Sequence, residues 1–226
     1  MIAANLQQVR ARIVTACTAA GRDAAAVQLL AVSKTFGPEA VRAAHAAGQR
    51  AFGENYVQEG LAKIEALADL RSGLEWHCIG PLQSNKTRPV AEHFDWVHSV
   101  DRLRIAQRLS EQRPAPLPPL QVCLQVNVDG GANKSGVPPG EALALARAVA
   151  ALPRLRLRGL MAIPEPAPDF EAQRALFMRA AAVFEQIRAA GIALDTLSLG
   201  MSADLEAAIT AGSTMVRVGT AIFGRR

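Results

Sequence analysis

The stretch LLAVSKTF, Leu29 to Phe36, is apolar as far as Val32 and then sets Lys34 just before a helical pattern opens at Pro38. An amine at the end of a buried strand loses hydration, which lowers its pKa from about 10.4 and raises the share of neutral amine, the form that attacks an aldehyde to give a Schiff base. The plainer alternative is a lysine that reaches past the rim into water. Near the C-terminus, Met201 and Ser202 in LGMSADLE and Gly219 and Thr220 in RVGTAIFG offer backbone N–H groups, two hydroxyls and a helix start. That combination suits a phosphate group. Simple N-capping by Ser202, with Asp204 and Glu206 in the first helical turn, explains the first of these stretches equally well.

Arg217 is the third candidate. Strand alternation in MVRVGT puts Met215, Arg217 and Gly219 on one face and Val216 and Val218 on the other. An arginine inside a sheet needs an acceptor. One acceptor is the nitrogen of a pyridine ring; because a guanidinium donates and keeps its proton, such a ring would stay unprotonated and make a weak electron sink. The other is an internal carboxylate such as Glu54.

Side chains so far apart in sequence need a scaffold to bring them together. Short β-rich runs are expected at 28–33, 51–53, 74–79, 96–100, 120–128, 155–163, 195–199 and 214–218, with helical patterns between them. Eight strands alternating with helices imply βαβ units and a parallel sheet, closed as a single (β/α)8 TIM-type barrel over residues 1–226. A doubly wound open sheet is the runner-up. No convincing eighth helix follows the last strand; a helix over residues 1–20, with Ile2, Leu6, Val9 and Ile13 at helical spacing, is expected to pack on that side. In such barrels chemistry gathers at the C-terminal ends of the strands, and Lys34, Asn55, the 201–202 pair and the 219–220 pair all fall there.

Composition removes several function classes. Half of the residues are hydrophobic, which predicts a packed core, and no apolar run is long enough to span a membrane. The first helix lacks the unbroken apolar stretch of a signal peptide. Three scattered cysteines fit neither a disulfide framework nor a metal knuckle, and the four histidines show no ligand spacing, so no metal is expected. These features point to a reduced, cytoplasmic protein. The formal charge of +5 and the run RLRLR at Arg154 to Arg158 raise nucleic acid as a partner. The arginines alternate with leucines as on a half-solvated strand, and aromatics are 4% of the chain, so no nucleic-acid surface is expected.

The motifs LLAVSKTF, FGENYVQE, WHCIGPLQSNKTRPVAEHFDWVHSV, KSGV, GLMAIP, LSLGMSADLEAAI and GSTMVRVGTAIFG together resemble the pyridoxal phosphate homeostasis proteins. These are barrels similar to the N-terminal domain of alanine racemase that bind pyridoxal 5′-phosphate (PLP). The resemblance implies that Lys34 forms the Schiff base, that Asn55 lies close to the cofactor, that Met201, Ser202, Gly219 and Thr220 hold its phosphate, and that Arg217 faces its ring nitrogen. It also implies a possible secondary PLP contact at Lys134, where a solvated loop lysine is the alternative. Phe36 departs from the family by standing where many relatives carry a second lysine. The implied role is to hold, buffer or deliver PLP, with apo PLP-dependent enzymes as recipients and no catalytic residue; a monomer is expected because the barrel is complete without a partner. A weak, racemase-like PLP enzyme is the alternative. A racemase of that type needs an acid/base on each face of its substrate, and the one tyrosine, Tyr56, is expected to pack rather than to act as the second base.

Overall fold

The computed structural model describes residues 1–130 and 135–224. Helix α1 (Ile2–Ala19) is followed by strand β1 (Gln28–Val32), α2 (Pro38–Ala46), β2 (Ala51–Glu54), α3 (Val57–Ala66), β3 (Glu75–Cys78), α4 (Thr87–His93), β4 (Trp96–Val100) and α5 (Leu103–Gln112). The second half runs β5 (Leu120–Gln125), α6 (Pro139–Ala150), β6 (Leu155–Met161), α7 (Phe170–Ala189), β7 (Thr196–Ser198), α8 (Leu205–Thr210), β8 (Met215–Val218) and α9 (Thr220–Phe223). Among the described residues the strands pair in parallel in sequence order, and β8 returns to β1, closing the barrel. The closed barrel, not the open sheet, is therefore the fold.

Local chemistry explains the turns that matter most for the strand ends. Strand β1 stops at Ser33, and Gly37 with Pro38 at the first helical position starts α2, where a missing N–H costs nothing. Two strands, β5 and β6, end two or three residues earlier than the sequence suggests. Beyond Gln125 the chain turns away and Val126 forms an isolated bridge with Val137, while IPEPAP after Met161 has prolines that cannot donate to a ladder.

Apolar side chains fill the space between barrel and helices, and α1 joins them through Leu6, Val9 and Ile13. The expected shortage after the last strand is real: α9 is a single turn, and α1 packs on both α8 and α9. Asn5 donates to the Ile222 carbonyl at 2.8 Å, and Arg12 Nε donates to Glu206 at 2.9 Å. The interior holds two small apolar clusters, Leu30, Val32, Ala51, Ile79 and Met215 on one side and Trp96, Cys123 and Met161 on the other. It is otherwise polar, with His77, His98, Ser198 and Arg217 all buried. Of the basic run, Arg156 is exposed as expected. Arg158 is not simply solvated, because it stacks 4.8 Å over Trp96 and binds Asp195 at 2.8 Å.

Candidate functional site

Strands β7, β8, β1 and β2 are consecutive neighbours, and their C-terminal ends carry the residues singled out from the sequence. Met201 and Ser202 follow β7, Gly219 and Thr220 follow β8, Lys34 follows β1 and Asn55 follows β2. Register aligns them. Val32 pairs with Gly53, so Lys34 and Asn55 each lie two residues beyond a matched pair, and Ala31 pairs with Val218, which brings Gly219 alongside Val32. A Cβ on Gly219 would lie 3.0 Å from the Val32 carbonyl oxygen, so glycine lets the two backbones close up. Gly80 does the same opposite Asn55, where a Cβ would sit 2.2 Å from the Asn55 carbonyl oxygen. The Thr220 hydroxyl donates to the Ser202 hydroxyl at 3.1 Å, tying the ends of β8 and β7 together.

Two expectations need correcting here. The helix near Ser202 opens three residues later, at Leu205, with Asp204 as its N-cap residue. Asp204 also accepts from the Met201 N–H at 2.6 Å, so a turn and not an Ser202 cap organises this end, which leaves the Ser202 hydroxyl to meet Thr220. Burial raises the Asp204 pKa, opposed by the Met201 hydrogen bond and the Arg217 charge. Lys34 is solvent-exposed, so the loss of hydration expected at that position is not present.

The backbone that carries Lys34 is held from below by residues the sequence reading did not assign. Lys63 on α3 donates to the Ser33 carbonyl at 2.7 Å, to Glu54 Oε1 at 2.8 Å and to Glu59 Oε1 at 2.7 Å, which uses all three of its N–H groups. Ser33 Oγ donates to the same Glu54 oxygen at 2.6 Å, and the Thr35 N–H donates to Glu59. Thr35 has φ of 73°, a left-handed conformation that costs a β-branched residue roughly 1–3 kcal/mol and that the surrounding bonds must hold in place. Burial pushes the Glu54 pKa up against the opposing pull of Lys63 and Ser33, and Glu54 Oε2 is buried without a described partner. Glu59 and Lys63 sit four apart on one helix face, a spacing that could have drawn attention to them.

Arg217 points into the barrel as alternation requires, and its partner is not Glu54. It donates to the Ser198 carbonyl at 2.6 Å, to Ser198 Oγ at 2.7 Å and to the Ala162 carbonyl at 3.1 Å. Glu54 is taken by Lys63, so the internal salt bridge to Arg217 is absent among the described residues. Those three bonds leave two of the five guanidinium N–H groups outside them. Burial lowers the Arg217 pKa to about 10, with Asp204 opposing, so the group remains a cation at neutral pH.

Phe36 is half-buried and meets Phe223 at 5.3 Å between ring centroids, which anchors the Lys34 loop to α9. Tyr56 does not pack as expected. It stands before the first turn of α3, 61% exposed, because Gly60 and Val57 take the buried face of that helix. Lys134 lies outside the described residues.

A sequence model of the family described as alanine racemase, N-terminal domain, matches residues 4–226. The chain is 65% identical over 225 residues to the pyridoxal phosphate homeostasis protein of Pseudomonas aeruginosa, covering 100% of this chain and 96% of that one. It is 58% identical over 226 residues to the Escherichia coli protein of the same name, covering 100% and 97%. Among solved structures it is similar to PipY of Synechococcus elongatus with PLP bound, at a TM-score of 0.86 and 38% identity, covering 99% of this chain and 100% of that one. Fold and relatives agree, and the chain belongs to the alanine racemase N-terminal domain family, in its pyridoxal phosphate homeostasis branch.

Proposed function

We propose that this chain binds PLP on Lys34 as a Schiff base and holds, buffers or delivers it without turning over substrate. The observation that carries the reading is the contiguous arc of strand ends that sets Lys34 and Asn55 beside the Ser202–Thr220 hydroxyl pair, with the Arg217 cation beneath. PipY, 38% identical, is a PLP-bound relative, which supports the same ligand here. The donor set fits the group. Ser202 and Thr220 offer two hydroxyls to a phosphate, Gly219 lets the ends of β8 and β1 close up beside them, and Arg217 has N–H groups left for a ring nitrogen. Bound PLP supplies an aldehyde carbon and, when its ring nitrogen is protonated, an electron sink.

Lys34 would hold PLP through that aldehyde, its amine nitrogen taking the place of the carbonyl oxygen as water leaves. Arg217, which donates and keeps its own proton, would hold the ring nitrogen unprotonated and so weaken the electron sink. Asn55, next along the arc, would lie against the group and Met201 would offer its backbone beside the phosphate; the secondary contact implied for Lys134 falls outside the described residues. Tyr56 at 61% exposure makes a poor second base, which favours custody over racemisation. In this reading the chain acts as one barrel unit, residues 1–226, as a cytoplasmic monomer with apo PLP-dependent enzymes as recipients. No described helix is long and apolar enough to cross a membrane.

The test is borohydride reduction of the PLP-loaded protein followed by peptide mapping. The pyridoxyl group is expected on Lys34, and finding it on Lys134 alone would overturn the assignment. Exchange of amino-acid α-hydrogens in deuterated buffer is expected to run no faster than with free PLP. Saturable, stereospecific exchange that Lys34→Ala abolishes would establish the racemase-like alternative.

A further inference from the structure

A continuous chain of side chains runs through the barrel interior beneath the site. Arg217 Nη1 donates to Ser198 Oγ at 2.7 Å, Ser198 Oγ lies 3.0 Å from His98 Nδ1, His98 Nε2 lies 2.8 Å from His77 Nδ1, and His77 Nε2 lies 2.8 Å from Glu75 Oε1. Five residues on β8, β7, β4 and β3 thus join the ring end of the site to the opposite mouth of the barrel. His77, His98 and Ser198 are each 0% exposed, while Glu75 reaches the surface with a 36% exposed side chain.

The two ends dictate the direction of every bond between them. A guanidinium can only donate and an ionised carboxylate can only accept. With both imidazoles neutral, Glu75 takes the Nε2 proton of His77, whose bare Nδ1 takes the Nε2 proton of His98, whose bare Nδ1 takes the Ser198 hydroxyl proton. The Ser198 oxygen is then free to accept from Arg217. One extra proton on either ring reverses the links above it, turning His98 Nδ1–H toward an oxygen that Arg217 already faces and leaving the Ser198 proton to find another acceptor. Packing fixes the ring positions, so only the protons can rearrange: His77 stacks on Trp96 at 5.1 Å and 9°, and Trp96 is covered by the Arg158 cation. The charged groups that act on the two rings are Glu75 on β3, bonded to His77, and Arg217 on β8, near His98, with Arg158 on β6 over the indole that stacks on His77. Burial, then His77 and Arg217, hold the His98 pKa well below its ordinary value. Burial pushes the Glu75 pKa up, but hydrogen bonds from His77, Trp96 and Gln28 carry it net below the usual carboxylate value.

We propose that His98, His77 and Glu75 are positioning residues that fix, from the far end of the barrel, the direction in which Arg217 presents its hydrogens to the bound ring. The proposal rests on Arg217 facing that ring, as in the reading above.

Two measurements on the full chain test it. In the cofactor-free protein at pH 7, imidazole ¹⁵N–¹H spectra are expected to show both buried rings neutral with the proton on Nε2. A charged ring, or a proton on Nδ1 of either, overturns the chain's polarity whether or not PLP binds. Next, Glu75→Gln keeps the shape but supplies an end that can donate as well as accept. It is expected to give mixed His77 tautomers, to weaken PLP binding about tenfold, and to shift the absorbance maximum of the bound group, with thermal melting nearly unchanged. Glu75→Asp is expected to restore the spectrum in part. If Glu75→Gln leaves tautomers, spectrum and affinity as in the parent, the three residues are structural only and the proposal fails. If the parent protein takes up no PLP, the reading of the site fails, and the imidazole spectra still decide the chain's polarity.

Discussion

At Arg217 a charge that water would normally surround is instead surrounded by two carbonyl oxygens and a hydroxyl, and the cost of that exchange is recovered only if the remaining N–H groups also find a partner. The hydroxyl pair at the mouth is the reverse case. Ser202 and Thr220 bond to each other at the surface, where water competes, so their mutual bond adds little to folding. Against a phosphate, each hydroxyl would instead make a charge-assisted bond of roughly 1.5–3 kcal/mol. Replacing both with alanine is therefore expected to weaken PLP binding by about two to four orders of magnitude in a spectroscopic titration. Melting of the cofactor-free protein is expected to move by a degree or so. Collapse of the apo stability with affinity intact would mean that the pair is architectural.

Among the elements, β2 and α3 depend on each other through Glu54, fully buried, and Lys63, 4% exposed, and Lys63 also reaches the end of β1 at the Ser33 carbonyl. Lys63→Met leaves the Glu54 charge uncompensated inside the protein, a loss expected to cost about 3–5 kcal/mol in urea unfolding. Adding Glu54→Gln to that variant is expected to return part of the loss, since an amide needs no counter-ion; no recovery would place the cost in packing instead. The substitution also removes the Lys63 bonds to the Ser33 carbonyl and to the Glu59 oxygen that accepts from Thr35, which support the turn that presents Lys34, so PLP uptake is expected to fall along with stability. Much of this framework was legible beforehand. The βα alternation, the place of Lys34 at the end of β1 and the inward turn of Arg217 all follow from period-two and period-3.6 patterning, which is local. What stayed hidden is pairing across space: Glu54 with Lys63, and His77 with His98, 21 residues apart on neighbouring strands, where no spacing rule applies. Tyr56 was misread for a similar reason, since a helix start does not reveal which face its first residue shows.

At the scale of the whole molecule, the polar barrel interior makes stability depend on pH. His98 is buried in its neutral form, with a pKa well below the ordinary 6.5 that an unfolded chain would show. Below pH 6.5 the unfolded state binds a proton that the folded state does not, so stability is full above that value and falls as pH drops, by up to about 1.4 kcal/mol per pH unit. Denaturant unfolding of the cofactor-free protein from pH 7.5 to 5.5 is expected to show this slope, and His98→Gln is expected to flatten it. An equal slope in the variant would assign the acid sensitivity to other groups.

The three cysteines, noted earlier only as unfit for a disulfide framework, have a further consequence. All three are free thiols and buried, and burial pushes Cys78 and Cys123 up to about 12. Thiols add to aldehydes as amines do, and a thiolate is the more aggressive partner. A barrel that keeps its sulfur inside and protonated while an amine stands exposed at the strand ends has sorted its nucleophiles by depth, so an arriving aldehyde meets nitrogen and never sulfur.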